Sequence, residues 1–397
     1  MPTSNIECKT SASPLRNSIV IVGGGYAGLN ILNALSASLG SSTTNITVIT
    51  PRTYFHYLPA SIRMCVTAED ALEDASLLPF QPHHCTGNKR IINAQVTAIV
   101  DFNTEKDSDG NSGVSNGYNN GHVVLDTGDH VEYTVLILTP GTRWDGLWDF
   151  PDTKEEVVSM MKSSRERFRY AKNILIVGGG SSGAELAGEI KDLNGTKNVT
   201  IVHSKSLLMN DAYPDSWRRK LTQQFGDRGV QFAFDDYLDE TLIKEGVVTT
   251  RNGKTISADL VVCARGGQPN TDFIRTLSDD ALAPSGCVHV LPTLQLPGRP
   301  NILAAGDIID RNEQKQAAKV YAHAEVVKNN TLVLLGLKEN LMEYKGSYEI
   351  AIVTNGKNSG MGYFGVLWGI SVGSWVSRFL KSRDLMLGMV KKNLGFP

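Results

Sequence analysis

Cysteine is scarce and scattered in this chain: Cys8, Cys65, Cys85, Cys263 and Cys287 are an odd number, and no two of them form a CxxC pair. That argues against a disulfide framework, a zinc site and a dithiol redox centre, and it fits a reducing compartment. Charge of one sign is also lacking. The net charge is -2 and the pI is near 6.5, so no global field points to nucleic acid as a partner. Residues 1–17 contain neither the apolar core of a signal peptide nor the arginine-rich character of a transit peptide, and Pro2 stands where N-myristoylation needs glycine. The expectation is a short flexible tail on a cytoplasmic protein that is not secreted. The uncharged run 358–377 holds five glycines and four serines, too breakable for a transmembrane span, and reads instead as an amphipathic or interfacial element.

What the chain does contain is organised around residues 18–36. A β-branched run, Ile19 to Val22, passes through Gly23, Gly25 and Gly28 into a stretch with Leu29, Leu32 and Leu35 at helical spacing. In this context GxGxxG has a physical reading. Gly23 permits the tight turn, Gly25 lets the backbone approach a pyrophosphate, Gly28 lets the helix pack on the strand, and the helix N-terminus attracts the anion. The same pattern returns at Asn173 to Leu186 with Gly178, Gly180 and Gly183. Two such units imply two dinucleotides facing each other, and 397 residues give room for two or three domains.

Neither unit carries the carboxylate that often ends the second strand of a dinucleotide fold. In the first, Thr50 stands there, followed by Pro51 and Arg52. The threonine hydroxyl can bond a ribose; Arg52 reads either as a cover for the adenine and phosphates or as a solvated loop residue. In the second, His203 and Lys205 occupy the region, either tolerating the 2'-phosphate of NADPH beside NADH or facing solvent. A strand from Val131 breaks at Pro140-Gly141, and a strand from Asn301 ends in Gly306-Asp307, where the aspartate either caps the next element or contacts a ribityl or phosphate group. Residues 103–121 read as an exposed polar hairpin insertion and 313–337 as a helix. The last segment interleaves Arg378, Lys381, Arg383, Lys391 and Lys392 with aliphatic residues, which suits either an anionic membrane surface or an ordinary docking helix with a basic face.

Taken together, these residues resemble the FAD-dependent pyridine nucleotide oxidoreductases over nearly the whole chain. The likeness rests on the two glycine motifs, Thr139-Pro140-Gly141, Gly267-Gln268-Pro269-Asn270-Thr271 and Gly306-Asp307. Within that superfamily the chain is most similar to the apoptosis-inducing-factor-like branch and more distantly to type II NADH dehydrogenases. Phe55-His56 with Arg63, Gly183-Ala184-Glu185-Leu186 with Glu189, and Lys381-Ser382-Arg383-Asp384-Leu385 match the branch, whereas Thr50-Pro51-Arg52 is closer to the dehydrogenases.

The resemblance implies an α/β chain of two Rossmann-like domains, the NAD(P)H domain inserted into the FAD domain, followed by a C-terminal α+β segment. The implied boundaries are 18–150 and 285–335 for FAD, 151–284 for NAD(P)H and 336–397 for the C-terminal segment. FAD would be held by Gly23, Gly25, Gly28, Thr50, Arg52, Gly141 and Asp307, and NADH or NADPH by Gly178, Gly180, Gly183 and Lys205. Glu185, expected in the first turn of its helix, would orient the nicotinamide. Lys381 would lie near the flavin and His56 would donate to flavin or acceptor. The implied activity is NAD(P)H:quinone reduction; its rivals are a redox-sensing flavoprotein that acts through a partner and a ferredoxin or rubredoxin reductase. No metal is expected. A homodimer and peripheral contact with a membrane or lipid droplet are the implied associations.

Overall fold

The computed structural model describes residues 17–40, 44–102, 120–239, 243–244 and 246–397. The tail expected at 1–17 and the polar insertion expected at 103–121 therefore lie almost wholly outside the described residues.

Ile19, Val20 and Ile21 are fully buried, as are Leu136 and Ile137. Uninterrupted burial of this kind marks strands covered on both faces, which is the environment of a parallel sheet between helices. The strand Asn17–Val22 pairs in parallel with Thr44–Thr50 on one side and Val135–Leu138 on the other. Lys89–Asn93 extends the sheet beyond Thr44–Thr50. On the opposite edge, Arg299–Ala304 adds in parallel to Val135–Leu138, and Gln295–Leu296 closes the six-stranded sheet.

A second sheet is made entirely by chain that lies between those edge strands. Its order is Val230–Ala233, Asn198–Val202, Asn173–Val177 and Leu260–Cys263, all parallel. The fold is thus two Rossmann-like units, with the second entered and left before the first is finished.

The C-terminal segment forms an antiparallel sheet of Ile350–Thr354, Gly360–Phe364 and Ile370–Val372. Residues 358–377, expected as an amphipathic or interfacial element, are largely a β-hairpin, with Gly360 and Gly362 turned inward and the tip left to solvent. A short helix Ser374–Ser377, a π-helical turn Arg378–Ser382 and a helix Leu387–Leu394 follow. This segment docks on both units. The Trp217 indole donates to the Gly362 carbonyl at 3.1 Å, while Phe396 stacks on Phe55 with ring centres 5.5 Å apart.

The helix read over 313–337 is shorter in the structure, Val320–Leu334, preceded by a single 3-10 turn at Ala317–Lys319. Glu313 is drawn away to Tyr344 and His323 at 2.6 and 3.2 Å, so its backbone stays outside the helix. At the other end Gly336, at φ +70°, supplies the left-handed residue that stops it.

Candidate functional site

Both glycine motifs close in the same way. At Gly23 the backbone has φ +109° and a Cβ would lie 2.2 Å from the Thr139 carbonyl oxygen; at Gly28 it would lie 1.9 Å from the carbonyl oxygen of Gly23. Any side chain there would push the helix off the strand. Gly178 and Gly183 repeat this geometry, with Ala264 in the place of Thr139. The middle glycines differ. Gly25 and Gly180 face open space, and each is the N-cap of its helix.

The helices Tyr26–Ser36 and Ser181–Leu193 begin with no side-chain cap and no acidic residue in the first turn. Their first amide N–H groups are the ones a helix cannot satisfy internally, and they carry the positive end of the dipole. Open glycines over two such ends fit the pyrophosphates of two dinucleotides. Asp307 fits a sugar contact in the first unit. Its carboxyl is half-buried and accepts from the Thr142 hydroxyl at 3.3 Å, and desolvation pushes its pKa up from the usual carboxylate range. Gly141, at φ +73°, turns the chain beside it and accepts from the Asn270 N–H at 2.9 Å.

A cavity of about 1020 Å³ opens between the units, from Gly178 to Ser181 at one end to Tyr26 and Tyr57 at the other. Lys381 lies in its wall. The Lys381 ammonium donates to Glu185 Oε1 at 2.6 Å and to the Ile352 carbonyl at 3.0 Å, and the same carboxylate oxygen accepts the Thr354 N–H at 3.0 Å. The helix starts at Ser181, so Glu185 is one turn in from the N-terminus and not in the first turn as the sequence suggested. That depth places it against the C-terminal sheet.

One turn further along the same helix, Glu189 is buried against Arg63, which donates to its carboxylate at 2.9 to 3.0 Å through Nε and Nη2. Arg63 also donates to the carbonyls of Ser382 at 2.7 Å and Arg383 at 3.2 Å. Those carbonyls belong to the end of the π-helical turn that carries Lys381. Arg63 and Glu189 were visible in the sequence only as part of a motif, with no role attached. Tyr26 and Tyr321 were missed as a pair; their hydroxyls are 2.6 Å apart at the cavity wall, and the Asn393 amide donates to Tyr321 at 2.9 Å. Tyr26 sits inside the first glycine motif, the one signal that could have marked it.

The remaining sequence-derived residues are placed elsewhere. Thr50 is buried against Gly24 at the end of its strand. Arg52 donates to the Phe150 carbonyl at 2.8 Å and faces Asp152 at 3.3 Å. Lys205 is paired with Asp211 at 2.6 Å, on the surface. His203 is turned inward: its Nδ1 accepts the Gly179 N–H at 3.1 Å, which leaves Nε2 to donate to the Met209 carbonyl at 2.9 Å. It is a brace for the second glycine turn.

His56 does not line the large cavity. It is buried beside Ser61, 2.8 Å from Nε2, and edge-on to Phe150, and burial together with Arg52 pushes its pKa down to about 3 from 6.5. Between those two values the unfolded chain binds a proton at this residue that the folded chain does not. Stability should therefore be full above pH 6.5 and fall as pH drops toward 3, by up to about 1.4 kcal/mol per pH unit from this residue. Denaturant melts of His56→Gln and the parent at pH 7 and pH 5 check this; the variant should lose less stability across the interval.

Among the described residues no group of acids, histidines and cysteines could hold a metal ion, and no helix is long and apolar enough to cross a membrane.

Residues 17–325 match the pyridine nucleotide-disulphide oxidoreductase family. An FAD-dependent oxidoreductase, FVFD30, from Flammulina velutipes is 44% identical over 325 residues, 82% of this chain and 97% of that one. The human ferroptosis suppressor protein 1 is 26% identical over 388 residues, 95% of each chain, and apoptosis-inducing factor homolog B of Dictyostelium discoideum is 24% identical over 405 residues, 96% of this chain and 97% of that one. Among solved structures, the sulfide:quinone oxidoreductase of Aquifex aeolicus superposes with a TM-score of 0.75 over 95% of this chain and 92% of its own, at 16% identity.

Proposed function

Because the chain belongs to the pyridine nucleotide-disulphide oxidoreductase family, whose members use FAD and NAD(P)H, we propose that it is an NAD(P)H:quinone oxidoreductase. The observation that carries this reading is the cavity between the two glycine turns, with the Lys381 and Glu185 pair in its wall and no CxxC dithiol to take the electrons further. We assign FAD to residues 18–150 and 285–335, NAD(P)H to 151–284, and the closing wall of the site to 336–397. The ferroptosis suppressor and sulfide:quinone oxidoreductase likenesses support a quinone as the acceptor. The same reading makes the protein peripheral on a membrane or lipid droplet, on the cytoplasmic side.

Bound between these turns, FAD would supply the chemistry of accepting a hydride from the nicotinamide and releasing electrons to the acceptor. The chain supplies placement and charge. The Gly23 to Gly28 turn and the helix behind it bind one pyrophosphate; Asp307 addresses a sugar portion, while Thr50 backs the turn through Gly24. The Gly178 to Gly183 turn, braced by His203, binds the other. Lys205 and the absence of an acid at the end of Asn198–Val202 allow NADPH as well as NADH. Glu185 holds the Lys381 ammonium at the cavity wall, where its positive charge opposes the negative charge that collects on a reduced ring. His56, neutral and buried, supports Phe150 and Ser61 at the edge of the FAD unit.

The purified protein should be yellow, and either NADH or NADPH should bleach it without oxygen. Steady-state turnover with a panel of quinones should exceed turnover with an iron-sulfur protein. A colourless protein that takes up no flavin on reconstitution overturns the reading. NAD(P)H-dependent dimerisation with negligible turnover would instead assign it to partner signalling.

A further inference from the structure

We propose that the tip and outer face of the C-terminal β-hairpin, together with the helices that follow it, form a docking surface for an anionic lipid bilayer. The inference rests on the quinone reading for its purpose, and on independent observations for its existence.

Leu367, Trp368, Trp375 and Phe379 are all largely exposed, and Trp368 is fully so. Large apolar side chains concentrated in so short a stretch need a partner. The backbone beneath two of them is also unusual. Leu367 and Trp368 have φ +48° and +67°, a region that favours glycine, at the turn between Gly360–Phe364 and Ile370–Val372. Two bulky residues held in a left-handed turn with their side chains in solvent gain nothing from packing within this chain.

Charge identifies the partner. Residues 350–397 carry six basic residues against one acidic, a net +5 in a chain whose total is -2. Lys357 and Lys381 are used up within the fold by Asp70 and Glu185. Arg378, Lys391 and Lys392, by contrast, have no carboxylate partner among the described residues. Exposed aromatic side chains and uncompensated cations on one short segment match the interface of an anionic leaflet, where indole rings sit at headgroup level and basic residues meet lipid phosphates. A protein partner of ordinary composition would require acidic groups on this face as well.

The surface also leads into the site. Leu380 and Met389 are exposed on this segment and line the large cavity, with Phe364 behind them. Seating the face on a bilayer puts the mouth of the cavity at the lipid, so an acceptor dissolved in the membrane enters without crossing water.

The test uses the flavin-loaded full chain and two vesicle preparations, phosphatidylcholine alone and phosphatidylcholine with phosphatidylserine. Co-sedimentation should be strong with the mixed vesicles, at least ten-fold weaker with the neutral ones, and weakened by salt. Two variants are compared, Leu367→Ser/Trp368→Ser/Trp375→Ser and, in case the first folds poorly, Lys391→Glu/Lys392→Glu, all outside the π-helical turn. Each should lose at least ten-fold in vesicle binding while keeping parental turnover with a short-chain, water-soluble quinone. Equal binding of the parent and both variants overturns the proposal. So does a lipid-free dimer, seen by sedimentation and abolished by the triple substitution, because the face would then belong to a second copy. If the parent binds vesicles as expected yet reduces no quinone, the acceptor reading fails and the docking surface stands.

Discussion

Arg63→Met should cost the protein about 3–5 kcal/mol of stability, the usual consequence of leaving one partner of a buried ion pair alone. Arg63 is almost wholly buried, and it is the common partner of Glu189 and of two carbonyls at the end of the π-helical turn. Without it, the Glu189 carboxylate faces a dry interior and the turn loses its anchor. The double variant Arg63→Met/Glu189→Met should recover much of the loss, because a well-packed apolar pair can replace a buried ionic one at little cost. The effect carries a sign in pH. Burial already pushes the Glu189 pKa up from 4.5, and removing the guanidinium that opposes this raises it further. A folded-state carboxyl of raised pKa binds more protons than the unfolded one, so stability declines as pH rises through the interval. The deficit of Arg63→Met should be largest above the raised value and shrink as pH falls toward 4.5. Denaturant melts at a series of pH values, with flavin bound, measure both the size and the sign.

Lys381→Met should lower kcat by roughly 10²-fold, the scale on which removing one preorganised charge or donor slows an enzyme. Glu185→Gln should cost less than Lys381→Met, since an amide oxygen can still accept from Lys381 and from the Thr354 N–H. The two residues share one contact at 2.6 Å, so their effects should fall well short of adding in the double variant. Anaerobic stopped-flow bleaching of the flavin by NADH isolates the hydride step from reoxidation. If Lys381→Met bleaches at the parental rate and slows only in quinone turnover, the ammonium acts on the second half of the reaction.

The two glycine turns and their strands could be read from the chain because each is written locally: a β-branched run, glycines at fixed offsets, a helical period. The re-entry of the first sheet through Arg299–Ala304 came only with the family resemblance. The ends of elements were less legible. The helix at Val320 starts late because Glu313 finds partners in Tyr344 and His323, and nothing near Glu313 in sequence announces them. The contacts that define the site were hidden for the same reason. Lys381 is 196 residues from Glu185, and Arg63 is 126 from Glu189. Resemblance supplied the names of these residues, but their pairing is a product of the tertiary fold. His203 shows the converse. Its position invited a phosphate, whereas its ring is held at both nitrogens by backbone groups.

The π-helical turn Arg378–Ser382 lies close to the end of the chain, long after both nucleotide folds are complete. A ribosome that has released both Rossmann-like units has not yet made the segment that carries Lys381 and caps the Arg63 and Glu189 pair. Without that segment Arg63 lacks its carbonyl partners, the Trp217 indole lacks the Gly362 carbonyl, and no ammonium reaches Glu185. Completion of the buried core and placement of the cavity's charge thus fall to the same segment.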